Sequence, residues 1–330
     1  MARQKVVLSN SAVPLQEEAA QVFTGLDVDF VTVDAPTEDD LLRVAGDADA
    51  IIALAEPLSR RVIEGLPRCR SITRFGIGLD GVDIDAATEQ GIWVTNVPDS
   101  NYREVAVHAI TLALSASRRI LLLNQAMHQT GSASLALAVG TRRPDDQTFG
   151  LLGIGRIGRR VATMAAAIGY CVQAFDPAVS AADARALGVA PVSFDELVGT
   201  SDILSLHVPL IDSTRHIISR EVIARMPAGA VLVNVSRGGL VDEEALAAAI
   251  ASDHLAGAGI DARLGEPAPM PDCHPLRGLD RVILTPHSAH YSVESLAETK
   301  AKALEDVARV LRGERPVYAV NEPAGLGEAA

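Results

Sequence analysis

One short stretch limits what this 330-residue chain can fold into more than any other. A strand-like apolar run, Thr148–Leu152, leads directly into Gly153-Ile154-Gly155-Arg156-Ile157-Gly158, and a helical segment, Arg159 to Ile168, follows. The first glycine permits a tight turn, the second lets backbone approach a pyrophosphate, and the third lets helix and strand pack closely. The helix start then offers free N–H groups and a positive dipole end to phosphate oxygens. Taken alone, the loop also fits an ordinary glycine turn. The next strand candidate, Cys171–Phe175, ends at Asp176, 18 residues past Gly158, where a carboxylate accepts hydrogen bonds from the adenosine ribose. Loop and acid together point to a bound dinucleotide. With no Arg or Lys directly after it, Asp176 favours NAD over NADP, because it would repel a 2′-phosphate.

The rest of the chain agrees with that unit. Short apolar runs alternate with helix-length amphipathic segments, the pattern of parallel α/β folds. Strand candidates in the first third are Lys5–Ser9, Val28–Val33, Ala50–Leu54, Ser71–Phe75 and Ile92–Thr95, with helical stretches such as Ser59–Gly65 and Val82–Gln90 between them. One long helical run is expected from Asn101 to His128. The second series continues at Ile203–Leu206, Ala230–Val235, Ala256–Ile260 and Val282–Leu284. A last amphipathic helix, Val293–Leu311, precedes a Pro- and Gly-containing tail. Two α/β units with a boundary near residue 100 are expected.

Charge and composition remove several function classes. Lys and Arg total 29 against 42 Asp and Glu, a net charge of -13, which disfavours a phosphate backbone as partner. No window holds some 18 consecutive apolar residues, and the N-terminus lacks the apolar run of a signal peptide, so a cytoplasmic protein with no membrane contact is expected. Three scattered cysteines (Cys69, Cys171, Cys273) fit neither a disulfide framework nor a metal knuckle, so plain thiols and no metal site are expected.

Three polar clusters follow strand candidates, where ligands of open α/β sheets bind. They are Asn234-Val235-Ser236-Arg237-Gly238, then Asp261-Ala262-Arg263-Leu264-Gly265-Glu266-Pro267, then Thr285-Pro286-His287-Ser288-Ala289-His290. Singly, Arg237 reads as a surface cation, Glu266 as a loop carboxylate and His287 as a turn residue. Together, behind a nucleotide loop, they read as a site. A guanidinium grips a carboxylate through two parallel hydrogen bonds. An imidazole takes or gives a proton near neutrality, and a neighbouring carboxylate orients it and raises its pKa.

With Ser201-Asp202-Ile203-Leu204-Ser205-Leu206-His207-Val208-Pro209-Leu210 and His274-Pro275-Leu276, these motifs closely resemble the D-isomer-specific 2-hydroxyacid dehydrogenase family, most clearly from Phe75 to Arg309. The resemblance implies two Rossmann-like or flavodoxin-like α/β domains with parallel sheets and an active-site cleft between them. Residues 1–99 with 290–330 would form a discontinuous substrate domain, and residues 100–289 the NAD-binding domain. It implies that Arg237 binds the substrate carboxylate and carbonyl, Glu266 supports the histidine, and His287 is the acid/base. Gly153, Gly155, Arg156, Ile157, Gly158 and Asp176 would hold NAD, His207, Val208 and Pro209 would lie along it, and Asp261 would meet the nicotinamide carboxamide. The stretch Arg74-Phe75-Gly76-Ile77-Gly78 looks like the family's substrate-side loop, with Arg74, Gly76, Ile77, Gly78 and His290 facing the substrate.

Branch signals diverge. Arg74, Ser100, Asn101 and Arg103 are similar to phosphoglycerate-dehydrogenase-like members. Pro286-His287-Ser288-Ala289-His290 looks more like the C-terminal-binding-protein branch, which usually has Trp at the position of His290. Val107 stands where the family usually has an acid, and Asp146 where a Gly is usual. The expected activity is hydride transfer between NAD and a small 2-hydroxy or 2-keto acid. Arg74, Arg103, Arg263 and His290 suggest a basic pocket for a second anionic group. An NAD(H)-sensing co-repressor-like protein, or a dehydrogenase of phosphite or a phosphonate, stays open as an alternative. A homodimer through the Asn101–His128 helix is expected, and no regulatory module after the catalytic core.

Overall fold

The computed structural model describes residues 3–323; residues 324–330, the end of the Pro- and Gly-containing tail, lie outside the described residues. The chain divides into two compact units. One comprises the residues up to Asn101 together with those from Ser292 on, and the other Tyr102–Tyr291.

In the first unit, β1 (Gln4–Leu8), β2 (Val28–Thr32), β3 (Ala50–Ala53), β4 (Ser71–Arg74) and β5 (Trp93–Thr95) form a parallel sheet in the order β2-β1-β3-β4-β5. The connections are α1 (Gln16–Val22), α2 (Glu38–Ala45), α3 (Arg60–Glu64) and α4 (Ile84–Glu89). Parallel strands need both faces covered, which is why β3 reads Ala-Ile-Ile-Ala and is buried throughout. Alternate residues divide between two layers. Val6 and Leu8 join Leu15, Ala19 and Phe23, whereas Val7 joins Leu41, Val62 and Ile63. This strand order is that of flavodoxin-like sheets.

The second unit runs α5 (Tyr102–Ser117), α6 (Ile120–Thr130), β6 (Thr148–Leu152), α7 (Arg156–Ile168), β7 (Cys171–Phe175), α8 (Ala181–Ala186) and β8 (Ala190–Pro191). It continues through α9 (Phe194–Thr200), β9 (Ile203–Leu206), α10 (Arg220–Arg225), β10 (Ala230–Asn234), α11 (Glu243–Ala251), β11 (Leu255–Ile260) and β12 (Val282–Leu284). The strands form a parallel sheet in the order β12-β11-β10-β9-β6-β7-β8, the dinucleotide-binding order with one strand added. The order reverses between β6 and β9, so the glycine loop leaves the sheet at its switch point. Helices α5 and α7 cover one face with Phe149, Leu151 and Val233; Leu152, Leu204 and Leu232 face the opposite layer. After β12 the chain returns to the first unit as α12 (Val293–Leu311), where Leu304, Val307 and Leu311 pack with Val6, Leu8 and Ile52.

Three expectations need correction. The run Asn101–His128 is two helices bent by 60°, not one. Arg119 takes a left-handed φ of 54° and its guanidinium donates to the Leu137 carbonyl at 3.1 Å, a tertiary hold that no Gly or Pro announces. Helix α7 starts at Arg156 rather than Arg159, because Gly155 already adopts the extended N-cap geometry. The edge strand β8, with a proline, was not anticipated; Pro is tolerated only at such an edge. Among the described residues no single helix is long and apolar enough to cross a membrane. All three cysteines are free thiols, and burial pushes Cys69 up to about 12.

Candidate active site

Every polar cluster singled out in the second unit lies at the carboxyl end of a strand of its sheet. At the end of β6 the three glycines do different work. Gly153 has φ 93°, and a Cβ there would lie 2.7 Å from the His207 carbonyl oxygen. At Gly158 a Cβ would lie 2.3 Å from the Gly153 carbonyl oxygen, so only hydrogen lets α7 sit against the loop. A Cβ on Gly155 would meet nothing within 4 Å, so this position opens onto free space. Helix α7 begins there with no side-chain cap and no acid in its first turn, leaving its N–H groups and dipole to an anion. Arg156 is exposed in that turn, and Ile157 packs into the core layer behind it.

Asp176, at the end of β7, accepts from the Ile154 amide through Oδ2 (2.8 Å) and from the Ala178 amide through Oδ1 (2.9 Å), which fixes the carboxylate beside the loop. After β9, burial pushes the His207 imidazole down to about 3, so it is neutral. Its Nε2 meets Ser205 Oγ at 2.9 Å, and its Nδ1 is buried without a partner among the described residues. Val208 is half-buried beside Gly153 and Pro209 is exposed. An open glycine, an uncapped helix start and a fixed carboxylate at the end of β7 fit a dinucleotide.

The ends of β10, β11 and β12 bring Arg237, Glu266 and His287 together. His287 Nδ1 lies 2.6 Å from Glu266 Oε1, and the second Glu266 oxygen accepts from the Arg263 amide at 3.3 Å. His287 has φ 52°, a left-handed geometry that its loop must enforce. Asp261 does so. Its carboxylate, 1% exposed, accepts from Thr285 Oγ1 (2.5 Å) and from the amides of Ser288 (2.9 Å) and Ala289 (3.0 Å). The carboxylate that the resemblance sets at the nicotinamide thus also shapes the His287 loop. His108 joins this cluster from α5, with Nε2 3.0 Å from Thr285 Oγ1. Arg237 donates through Nη1 to the Ser236 carbonyl at 2.8 Å. Asn234 ties the two loops. Its buried Nδ2 donates to the carbonyls of Arg237 (2.9 Å) and Ala262 (3.3 Å).

The hydrogen bond that His287 donates to Glu266 raises its pKa above the ordinary imidazole value of 6.5, against desolvation and the Arg237 charge, which lower it. His287 thus keeps its proton to higher pH than a free imidazole would. Glu266→Gln removes the cause that raises it, so the titration midpoint is expected to fall. Imidazole NMR across a pH series reads this directly, and an unchanged midpoint would remove Glu266 from the pair.

In the first unit, Arg74 is 7% exposed and donates to the carbonyls of Gly78 (Nε, 3.3 Å) and Glu56 (Nη1, 3.4 Å). Arg74 therefore builds the Gly76–Gly78 loop. That loop's other carbonyls are also held, Gly76 by the Val97 amide and Ile77 by Asn96 Nδ2. The Gly76 amide donates to the Arg74 carbonyl at 2.9 Å, so the amides of Ile77 and Gly78 are the groups the loop can present.

The side chains grouped as a basic pocket have the following partners. The Arg263 guanidinium is committed to the carbonyls of Leu264 and Ala268 in its own loop. His290 lies 6.2 Å from His287, ring centre to ring centre, and desolvation followed by the His287 charge lowers its proton affinity. Two like-charged imidazoles this close compete for one proton, and the carboxylate partner gives it to His287. Arg103 is exposed, with its guanidinium 5.0 Å from the Tyr102 ring centre.

Residues 110–289 match the family model described as "D-isomer specific 2-hydroxyacid dehydrogenase, NAD binding domain". The chain belongs to the D-isomer specific 2-hydroxyacid dehydrogenase family. It is 35% identical to a hydroxypyruvate reductase of Thermotoga maritima, over 94% of this chain and 99% of that one. It is 37% identical to a D-3-phosphoglycerate dehydrogenase of Mycobacterium tuberculosis over 92% of its own length, but spans only 56% of that protein. A solved D-lactate dehydrogenase of Aquifex aeolicus, complexed with NAD and lactic acid, matches with a TM-score of 0.85 at 26% identity, covering 97% of this chain and 100% of that one. This member of the family thus carries its NAD-binding domain and its parallel α/β architecture.

Proposed function

We propose that this protein is an NAD-dependent oxidoreductase that interconverts a small 2-hydroxy acid and its 2-keto acid. The observation that carries the reading is the 2.6 Å contact between His287 Nδ1 and Glu266 Oε1, with the Arg237 charge within electrostatic reach of the imidazole. The named activities of the relatives support it: a hydroxypyruvate reductase, a D-3-phosphoglycerate dehydrogenase and a D-lactate dehydrogenase.

Nicotinamide, when bound, supplies the hydride chemistry. Gly155, the start of α7 and Asp176 would hold the cofactor. Because Glu266 occupies Nδ1 of His287, Nε2 is the atom left for the substrate oxygen. During reduction, protonated His287 donates from Nε2 to the carbonyl oxygen; during oxidation, neutral His287 accepts the hydroxyl proton there. Arg237 grips the carboxylate next to the reacting carbon and fixes its orientation. Reduction therefore weakens as pH rises through the His287 titration, and oxidation strengthens. The deciding experiment is a panel of 2-keto and 2-hydroxy acids, followed by nicotinamide absorbance. Turnover of none of them overturns the proposal.

Cofactor preference rests on Asp176. Asp176→Ser is expected to weaken NAD about tenfold and to narrow the gap to NADP, since the carboxylate that repels a 2′-phosphate is gone. Fluorescence titration with NADH and NADPH measures this, and equal use of both by the unaltered protein would sink it. A homodimer is part of the same reading. Helix α6 buries none of its residues, and Ile120, Leu121 and Met127 on it are exposed, as are Leu135 and Val139 beyond it. A second copy of the chain would cover them. Light scattering should give twice the chain mass, and a stable monomer at micromolar concentration would count against it.

A further inference from the structure

Beneath the loop that carries Glu266 lies a pair of ionisable side chains that the mechanism above does not use. Glu243, in the first turn of α11, is 4% exposed. Its Oε1 accepts from the Leu264 amide at 2.9 Å, and its Oε2 lies 3.1 Å from His274 Nε2. The Leu276 amide donates to His274 Nδ1 at 3.3 Å, which places the imidazole proton on Nε2, facing Glu243. Leu276 itself is fully buried in the core of the second unit, so the imidazole is anchored from behind. Only Gly265, at φ 77°, separates the pinned Leu264 from Glu266.

We propose that Glu243 and His274 form a positioning pair that holds the Leu264 amide, and through it keeps the Glu266 carboxylate on His287 Nδ1. A buried carboxylate is costly unless its oxygens are satisfied, and here each has a donor. The satisfied pair is stiff, and that stiffness passes to the loop. Without the His274 donor, Glu243 is left with Leu264 alone, and water or a shifted loop must complete it. Glu266 then leaves a contact that tolerates little displacement at 2.6 Å. The other groups that face His287, namely Arg237, Asp261 and His290, are not substituted in such a change.

The inference rests on the proposed oxidoreductase reading for its effect on turnover, but its decisive readout does not need a substrate. In the full-length protein, His274→Ala is expected to lower the His287 titration midpoint, read by imidazole NMR. It should also reduce kcat on a 2-keto acid by about tenfold, with affinity for NADH changed less than about twofold. His274→Gln, whose side-chain N–H can reach Glu243, is expected to restore both. An unchanged His287 midpoint in folded His274→Ala, or a His274→Gln protein as impaired as His274→Ala, overturns the proposal. If His274→Ala does not fold, Glu243→Gln carries the test. It keeps an acceptor for Leu264 but turns an amide donor toward His274, so the same fall is expected and an unmoved midpoint overturns it. Failure of the chain to reduce any 2-keto acid would defeat the functional reading and leave the NMR result to decide the pair.

Discussion

His287→Ala is expected to lower kcat by about 10²- to 10⁴-fold, the range that positioned proton transfer contributes. Affinity for NADH should change little, because the glycine loop and α7, proposed to hold the cofactor, lie at a different strand end. His290 is no substitute. It lies 6.2 Å away, and its proton affinity is depressed where that of His287 is raised. The left-handed backbone at residue 287 calls for a second variant, since alanine at φ 52° carries strain of its own. Asn tolerates that geometry. His287→Asn should therefore lose as much kcat as His287→Ala, with less effect on the unfolding temperature. A variant that kept kcat within a few-fold would show that the proton comes from elsewhere.

Arg237→Lys is expected to lower kcat/KM for a 2-keto acid by about 10- to 100-fold, the worth of one or two charge-assisted hydrogen bonds. Lys keeps the positive charge, so it should preserve the effect on His287 while losing the two-pronged grip. Arg237→Gln removes the charge as well and should raise the His287 midpoint, because Arg237 is one of the causes that lower it. The amide analogue of the keto acid separates gripping from folding. Lacking a carboxylate, it should be used about equally poorly by the wild type and by Arg237→Lys. A Lys variant with full kcat/KM, or an equal deficit on both substrates, would take the carboxylate away from Arg237.

Much of the site was legible in the chain. The runs Thr148–Leu152, Cys171–Phe175, Ile203–Leu206 and Val282–Leu284 are strands with the expected bounds, and Val293–Leu311 is a helix with the expected bounds. Strands covered on both faces are short and mainly apolar, and the Gly, Asp, His and Pro that follow them are residues such strands rarely hold. The functional groups sit at strand ends for that reason, and their order along the chain survives into space because the sheet is parallel. The break at Arg119 escaped notice because helix propensity runs through it, and only a carbonyl far along the chain holds the kink.

What periodicity cannot specify is which polar atom meets which. Glu243 lies in the first turn of α11, and the fold buries it against His274 and Leu264. Arg263 and Arg74, expected near an anionic substrate, each also donate to backbone carbonyls. Asp261, which the resemblance sets at the cofactor, also has its carboxylate shape the loop of His287. Sequence alone determined the parallel α/β strand runs and the glycine loop, and set Arg237, Glu266 and His287, the residues of the proposed site, just past strand ends, because burial patterns and backbone constraints are local. Tertiary structure decided the partners of each charge, since a buried donor or acceptor takes whichever partner the packing of distant segments brings within about 3 Å.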